Sequence, residues 1–130
     1  MTRVLAALSI ALSTLYAPTV FSAELVFVEI KGCVYCIRFD RQMAPAYATS
    51  EIGKRVPLRR VDLMRRWPDD LKHVERPPYT PVFILVEDGR EIGRFLGYRS
   101  PRQFNRDLRL MLQKAPLKLA EHLRSSGGGR

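Results

Sequence analysis

Cys33 and Cys36 are the only cysteines in the 130-residue chain, and they stand three apart in Gly32-Cys33-Val34-Tyr35-Cys36-Ile37. An apolar run, Leu25-Val26-Phe27-Val28, precedes them, and a stretch with helical spacing follows. At a helix start, residues i and i+3 share a face, so the two sulfurs can meet with disulfide geometry. The first N–H groups of a helix lack partners and favour negative charge. A cysteine held there has a lowered pKa and a larger thiolate fraction. The spacing therefore predicts thiol–disulfide exchange. Cys33, at the tip, attacks a partner's disulfide, and Cys36, one turn in and more shielded, resolves the mixed disulfide. The electron pair resides in the two sulfurs, so neither cofactor nor metal is expected. Two blander readings stand beside this one. A structural zinc site wants four ligands, and His73 and His122 are far apart with no metal-type spacing. An inert disulfide across so short a loop would restrict the unfolded chain little.

The first residues indicate where such chemistry would run. Arg3 makes a short positive region, Val4 to Leu15 is apolar apart from Ser9, Ser13 and Thr14, and Val20-Phe21-Ser22 suits a cleavage site. Residues 1–22 thus read as a secretory signal peptide, which implies a periplasmic protein. The run is short for a membrane span of about 20 residues, although left uncleaved it would act as an anchor. Export brings the cysteine pair into an oxidising compartment, where disulfides persist. With no further cysteine to build a framework, the pair reads as redox-active.

Apolar residues make up 46% of the chain, enough for a packed core, which argues against global disorder. The formal charge is +9, and removal of residues 1–22 takes away only Arg3. This basicity suggests acidic partners or an anionic surface. Nucleic acid fits an exported protein poorly, and no nucleic-acid motif is visible. Scattered Arg and Lys also make an ordinary solvated face.

The elements that must hold the cysteines follow in order. Glu24 to Ile30 reads as a strand buried on both faces. Glu29 breaks its apolar run close to the cysteines; it either moves protons to and from Cys36 or is simply exposed at a strand end. Cys36, Phe39, Met43 and Tyr47 recur at helical intervals, and Pro45 must kink or end that helix. Thr49 or Ser50 can cap a short turn ending at Gly53. Pro57 to Leu63 is a second strand. Pro68-Asp69-Asp70 resembles a helix start, giving a short helix to about Val74, with Trp67 half-buried beside it or lining a groove. Val82 to Val86 and Glu91 to Leu96 form a hairpin about Asp88-Gly89. Ser100-Pro101 reads as a cap and first residue of a last helix with Phe104, Leu108, Met111 and Leu112 on its apolar face. Residues 115–130 form a C-terminal extension, and its Ser/Gly-rich end reads as disordered.

The order is β-α-β-α, a hairpin, then α. The helical connection makes the first two strands parallel with a right-handed crossover, and the hairpin adds antiparallel strands. The class is α/β, with a mixed four-stranded sheet flanked by helices over residues 23–114. With Cys33-Val34-Tyr35-Cys36 after the first strand and Thr80-Pro81 before the hairpin, the chain resembles the thioredoxin superfamily. The resemblance implies a cis Pro81 packed beside the cysteine pair, leaving the Thr80 backbone free to pair with an extended substrate. The alternative is an ordinary trans proline limiting a strand edge. Gly32 stands where thioredoxins usually carry Trp, Val34-Tyr35 replaces Gly-Pro, and Phe27 takes the place of their buried acid.

Val28-Glu29, Ala44-Pro45-Ala46-Tyr47 and Pro57 to Leu63 are similar to small periplasmic thioredoxins of bacterial sulfur-oxidation (Sox) clusters. This resemblance implies a reductant that keeps thiols of exported sulfur-oxidation proteins reduced and is recharged by a membrane electron-transfer partner; the chain itself is expected to be a monomer. The competing enzymes are a periplasmic disulfide oxidase or isomerase and a thiol reductase of cytochrome c maturation. The competing class is a non-catalytic binding module or chaperone.

Overall fold

In the computed structural model, which describes residues 23–115 and Arg124, the sheet is built outward from β1 (Ala23–Glu29). The expected signal peptide and nearly all of the expected C-terminal extension lie outside the described residues. Leu25, Val26, Phe27 and Val28 are fully buried. A strand so apolar on both faces must have neighbours on both sides. β1 pairs in parallel with β2 (Leu58–Asp62) and antiparallel with β3 (Val82–Glu87), which carries β4 (Arg90–Leu96) on its outer edge. The order β2-β1-β3-β4 is the mixed four-stranded sheet expected from the sequence.

Strand alternation sorts the core into two clusters. Leu25, Phe27, Phe83, Leu85 and Phe95 point to one face and meet the helices. Val26, Val28, Val61, Val82, Ile84 and Val86 point to the other.

On the first face, α1 (Val34–Gln42) buries Cys36 and Phe39. It stops at Met43, and α2 (Ala44–Thr49) restarts with Pro45 in its first turn, where the missing N–H costs nothing. Ser50 caps α3 (Glu51–Arg55) by accepting the Gly53 N–H at 3.0 Å. Gly53 lies inside this helix rather than at its end as the sequence suggested. A Cβ there would run into the Tyr47 carbonyl, so the position marks a close approach and not a stop signal. α4 (Pro101–Gln113), capped by Ser100, adds Phe104, Leu108 and Met111 to the same cluster.

The second face has a thinner cover. The helix expected from Pro68 to about Val74 is a 3-10 turn, Asp69–Leu71. Its bonds run three residues back, from Leu71 to Pro68 and from Val74 to Leu71. The Trp67 indole N–H donates to the carbonyls of Leu71 (3.0 Å) and Val74 (3.2 Å), so this half-buried ring pins the turn.

Candidate active site

Cys33 is where β1 becomes α1. The chain leaves the strand at Glu29, turns through Gly32 and enters the helix at Val34. Gly32 has φ of +83°, a backbone that L side chains rarely adopt, so glycine is what this entry turn favours. The Cys33 N–H donates to the Ile30 carbonyl at 3.3 Å, and its own carbonyl accepts the Ile37 N–H at 3.0 Å. Cys33 is therefore the N-cap, and its sulfur accepts the backbone N–H of Cys36 at 3.2 Å. The two cysteines are joined as a disulfide with Cα atoms 5.2 Å apart, in the usual range. They are not equivalent. Cys33 is partly exposed, while Cys36 is 2% exposed and packed into the aromatic cluster.

The sheet register brings the second motif to the same end. Val28 pairs with Val61 on one side and Val82 on the other, and Val82 pairs with Leu96. The carboxyl end of β1, the carboxyl end of β2 and the amino end of β3 thus share one rim. Pro81 immediately precedes Val82 there, its carbonyl accepts the Gly97 N–H at 2.8 Å, and the Thr80–Pro81 peptide is cis.

Glu29 and Phe27 lie on the α1 face of β1. Phe27 is fully buried between Phe39 (centroids 4.7 Å) and Phe83 (5.1 Å), an apolar stack in the place the resemblance gives to a buried acid. Glu29 is paired: its carboxylate meets Arg60 Nη1 at 3.1 Å. Arg60, opposite Phe27 in the register, also holds Asp40 of α1, and its guanidinium lies 5.3 Å over the Phe27 ring. The Asp40 hydrogen bond raises the Arg60 pKa most, burial opposes it, and Glu29 adds to the rise. In the sequence alone Arg60 is one more strand residue. The signal that could have found it was the Arg59-Arg60 pair: adjacent strand residues face opposite ways, so one had to lie under α1.

The chain superposes on the crystal structure of the periplasmic thioredoxin SoxS from Paracoccus pantotrophus in its reduced form. The TM-score is 0.67 with 29% sequence identity, covering 72% of this chain and 98% of that one. The fold is that of the thioredoxin superfamily. It carries a C-x-x-C pair and resembles the thioredoxins of Sox systems. No protein-family model matches the chain, and no curated protein sequence does.

Within this thioredoxin-like fold, the structure brings Cys33, Cys36, Thr80 and Pro81 to one end of the sheet and holds Glu29 under α1 against Arg60. Among the described residues, most exposed large apolar side chains gather at the same end. Val34, Tyr35 and Ile37 project from α1, Met64 follows β2, Tyr79 precedes the cis peptide, and Leu96 ends β4.

Proposed function

We propose that the chain is a periplasmic thiol–disulfide oxidoreductase that reduces disulfides of exported proteins, among them proteins of a sulfur-oxidation system. The observation that carries this reading is the asymmetry of the cysteine pair. A partly exposed Cys33 caps α1 and accepts an N–H at its sulfur, while Cys36 is buried behind it. In the reduced protein, the Cys33 thiolate attacks one sulfur of a substrate disulfide. A Cys33–substrate disulfide forms, and one substrate thiolate leaves and takes up a proton. Cys36 then loses its proton and attacks Cys33 Sγ, expelling the second substrate thiolate. The products are a dithiol substrate and the Cys33–Cys36 disulfide, two electrons having passed to the substrate. A dithiol donor at the membrane returns them. Half-buried Thr80, held next to the buried cis Pro81 just before β3, offers its backbone to an extended substrate, and Glu29 serves as the acceptor for the Cys36 proton. The SoxS neighbour and the export-type leader support the periplasmic assignment.

The deciding experiment equilibrates the couple with glutathione buffers. A reduction potential near about −270 mV is expected of a reductant. A value of about −120 to −180 mV would point to an oxidase or isomerase instead. The absence of a reversible couple would favour a binding module. Cys36→Ser should accumulate mixed disulfides in cells, whereas Cys33→Ser should abolish turnover.

A further inference from the structure

The outer face of α1 has a composition that neither its packing nor the redox step uses. Val34, Ile37, Arg38 and Arg41 follow one another at helical spacing along the side away from the core, beginning next to Cys33. With Gln42 they line an open groove of about 340 Å³. Val34 is 66% and Ile37 41% exposed, although α1 buries Cys36 and Phe39 on its other side. The groove is basic as well as apolar. Arg38 lies 5.3 Å over the Tyr35 ring. Neither it nor Arg41 forms an ion pair among the described residues, whereas Arg59, Arg60, Arg66 and Arg94 each hold a carboxylate; Arg90, Arg99, Arg102 and Arg109 also lack one, but only Arg38 and Arg41 stand on the helix that Cys33 caps. The one acid of the helix, Asp40, is turned under α1 to Arg60. Arg41 in the last turn complements the helix dipole, but Arg38 in the middle has no such use.

We propose that this face is a docking track for an acidic segment of the protein substrate. It rests on the redox reading above. Carboxylates of the substrate meet Arg38 and Arg41, an apolar side chain lies over Val34 and Ile37, and the track ends at Cys33, where the substrate's sulfur is delivered. Charge complementarity selects the occupant. Two arginines lacking carboxylate partners, on a chain of formal charge +9, raise the local concentration of an anionic partner and speed its encounter.

The test uses the reduced protein and two disulfide-bridged peptides of equal length, one with aspartates flanking its cysteines and one with lysines. The readout is the ratio of their second-order reduction rates. The acidic peptide is expected to react at least about tenfold faster at low salt. The ratio should fall towards one as ionic strength rises from about 0.01 M to about 1 M, which shortens the Debye length from about 30 Å to about 3 Å. The R38Q/R41Q variant should lose most of the ratio. R90Q/R109Q, which removes the same charge from the far hairpin and from α4, should keep it. An indifferent wild type, a double variant that keeps the ratio, or a control that loses as much would each overturn the track. Release of R38Q/R41Q alone from phosphatidylglycerol vesicles, with the peptide ratio unchanged, would overturn it in favour of a membrane surface. A wild type that cannot reduce neutral hydroxyethyl disulfide refutes the redox reading as well. One that reduces it without preferring the acidic peptide refutes only the track.

Discussion

The two faces of the sheet do different jobs with different materials. The face under α1, α2 and α4 is aromatic: Phe27, Phe39, Phe83, Phe95, Phe104, Tyr47 and Tyr98 form one connected set of ring contacts. The opposite face is aliphatic, with Val26, Val28, Val61, Val82, Ile84 and Val86 under a 3-10 turn and Trp67. Cys36 belongs to the aromatic side. A reacting sulfur needs a wall that holds its position while its bonding changes, and close-packed rings in fixed mutual orientation supply one. The aliphatic side has only to seal the sheet, and a short turn suffices.

The largest expected effect sets these two faces against each other. Phe104 touches Phe39, Tyr47, Phe83, Phe95 and Tyr98, so Phe104→Ala opens a cavity that rigid neighbours cannot fill. It should cost about 3–5 kcal/mol. Leu71, equally buried on the other face, is a smaller side chain packed among aliphatic neighbours. Leu71→Ala should lie at the low end of its range, about 2 kcal/mol. Urea denaturation of both variants measures the gap, and equal losses would mean that the two faces are equally rigid.

The strands, the parallel crossover and the cysteine motif were legible because each is written locally. β1 and β3 are continuous apolar runs, Asp88-Gly89 supplies the two positive-φ positions of the hairpin, and Ser100-Pro101 marks a helix start. Long-range placement was not. That Arg60 would reach Glu29 and Asp40, 31 and 20 residues away in sequence, depends on the register of β2 against β1. The stretch after Pro68 misled because Asp69-Asp70 suits a helix start equally well whether one turn follows or three. What stops it is Trp67 taking the Leu71 and Val74 carbonyls.

A smaller effect probes how the aromatic face is closed at its edge. The Tyr47 hydroxyl donates to the Val56 carbonyl at 2.6 Å, with both residues buried. Burial pushes the Tyr47 phenol well above its ordinary range. Tyr47→Phe keeps the ring but strands that carbonyl, at a cost of about 1–2 kcal/mol. The phenol also links stability to alkali. Its raised folded pKa makes its contribution full below the unfolded value of about 10 and lost as pH rises past it. Denaturation at pH 7 and again above about pH 10 should therefore show the wild-type advantage shrinking.

The smallest effect separates the two arginines of β2. Arg60 works under α1, while Arg59, facing the other way, bonds Glu24 at 2.9 Å and clamps Asp70 of the 3-10 turn with two hydrogen bonds. The Arg59 hydrogen bond holds the Asp70 carboxyl below its usual range. A depressed carboxylate stabilises the fold fully above its unfolded pKa of about 3.9, and that support is lost as pH falls through the folded value. Asp70 is 62% and Arg59 31% exposed, so water screens the pair and Arg59→Gln should cost no more than about 1 kcal/mol near pH 7. The difference from wild type should close below about pH 4, as Asp70 takes up a proton in either protein. Because every Arg59 contact lies on the face away from α1, the potential of the Cys33–Cys36 couple should stay where it is in wild type. A shifted potential in this variant would mean that the aliphatic face also sets the chemistry, and the division of labour between the two faces would fail.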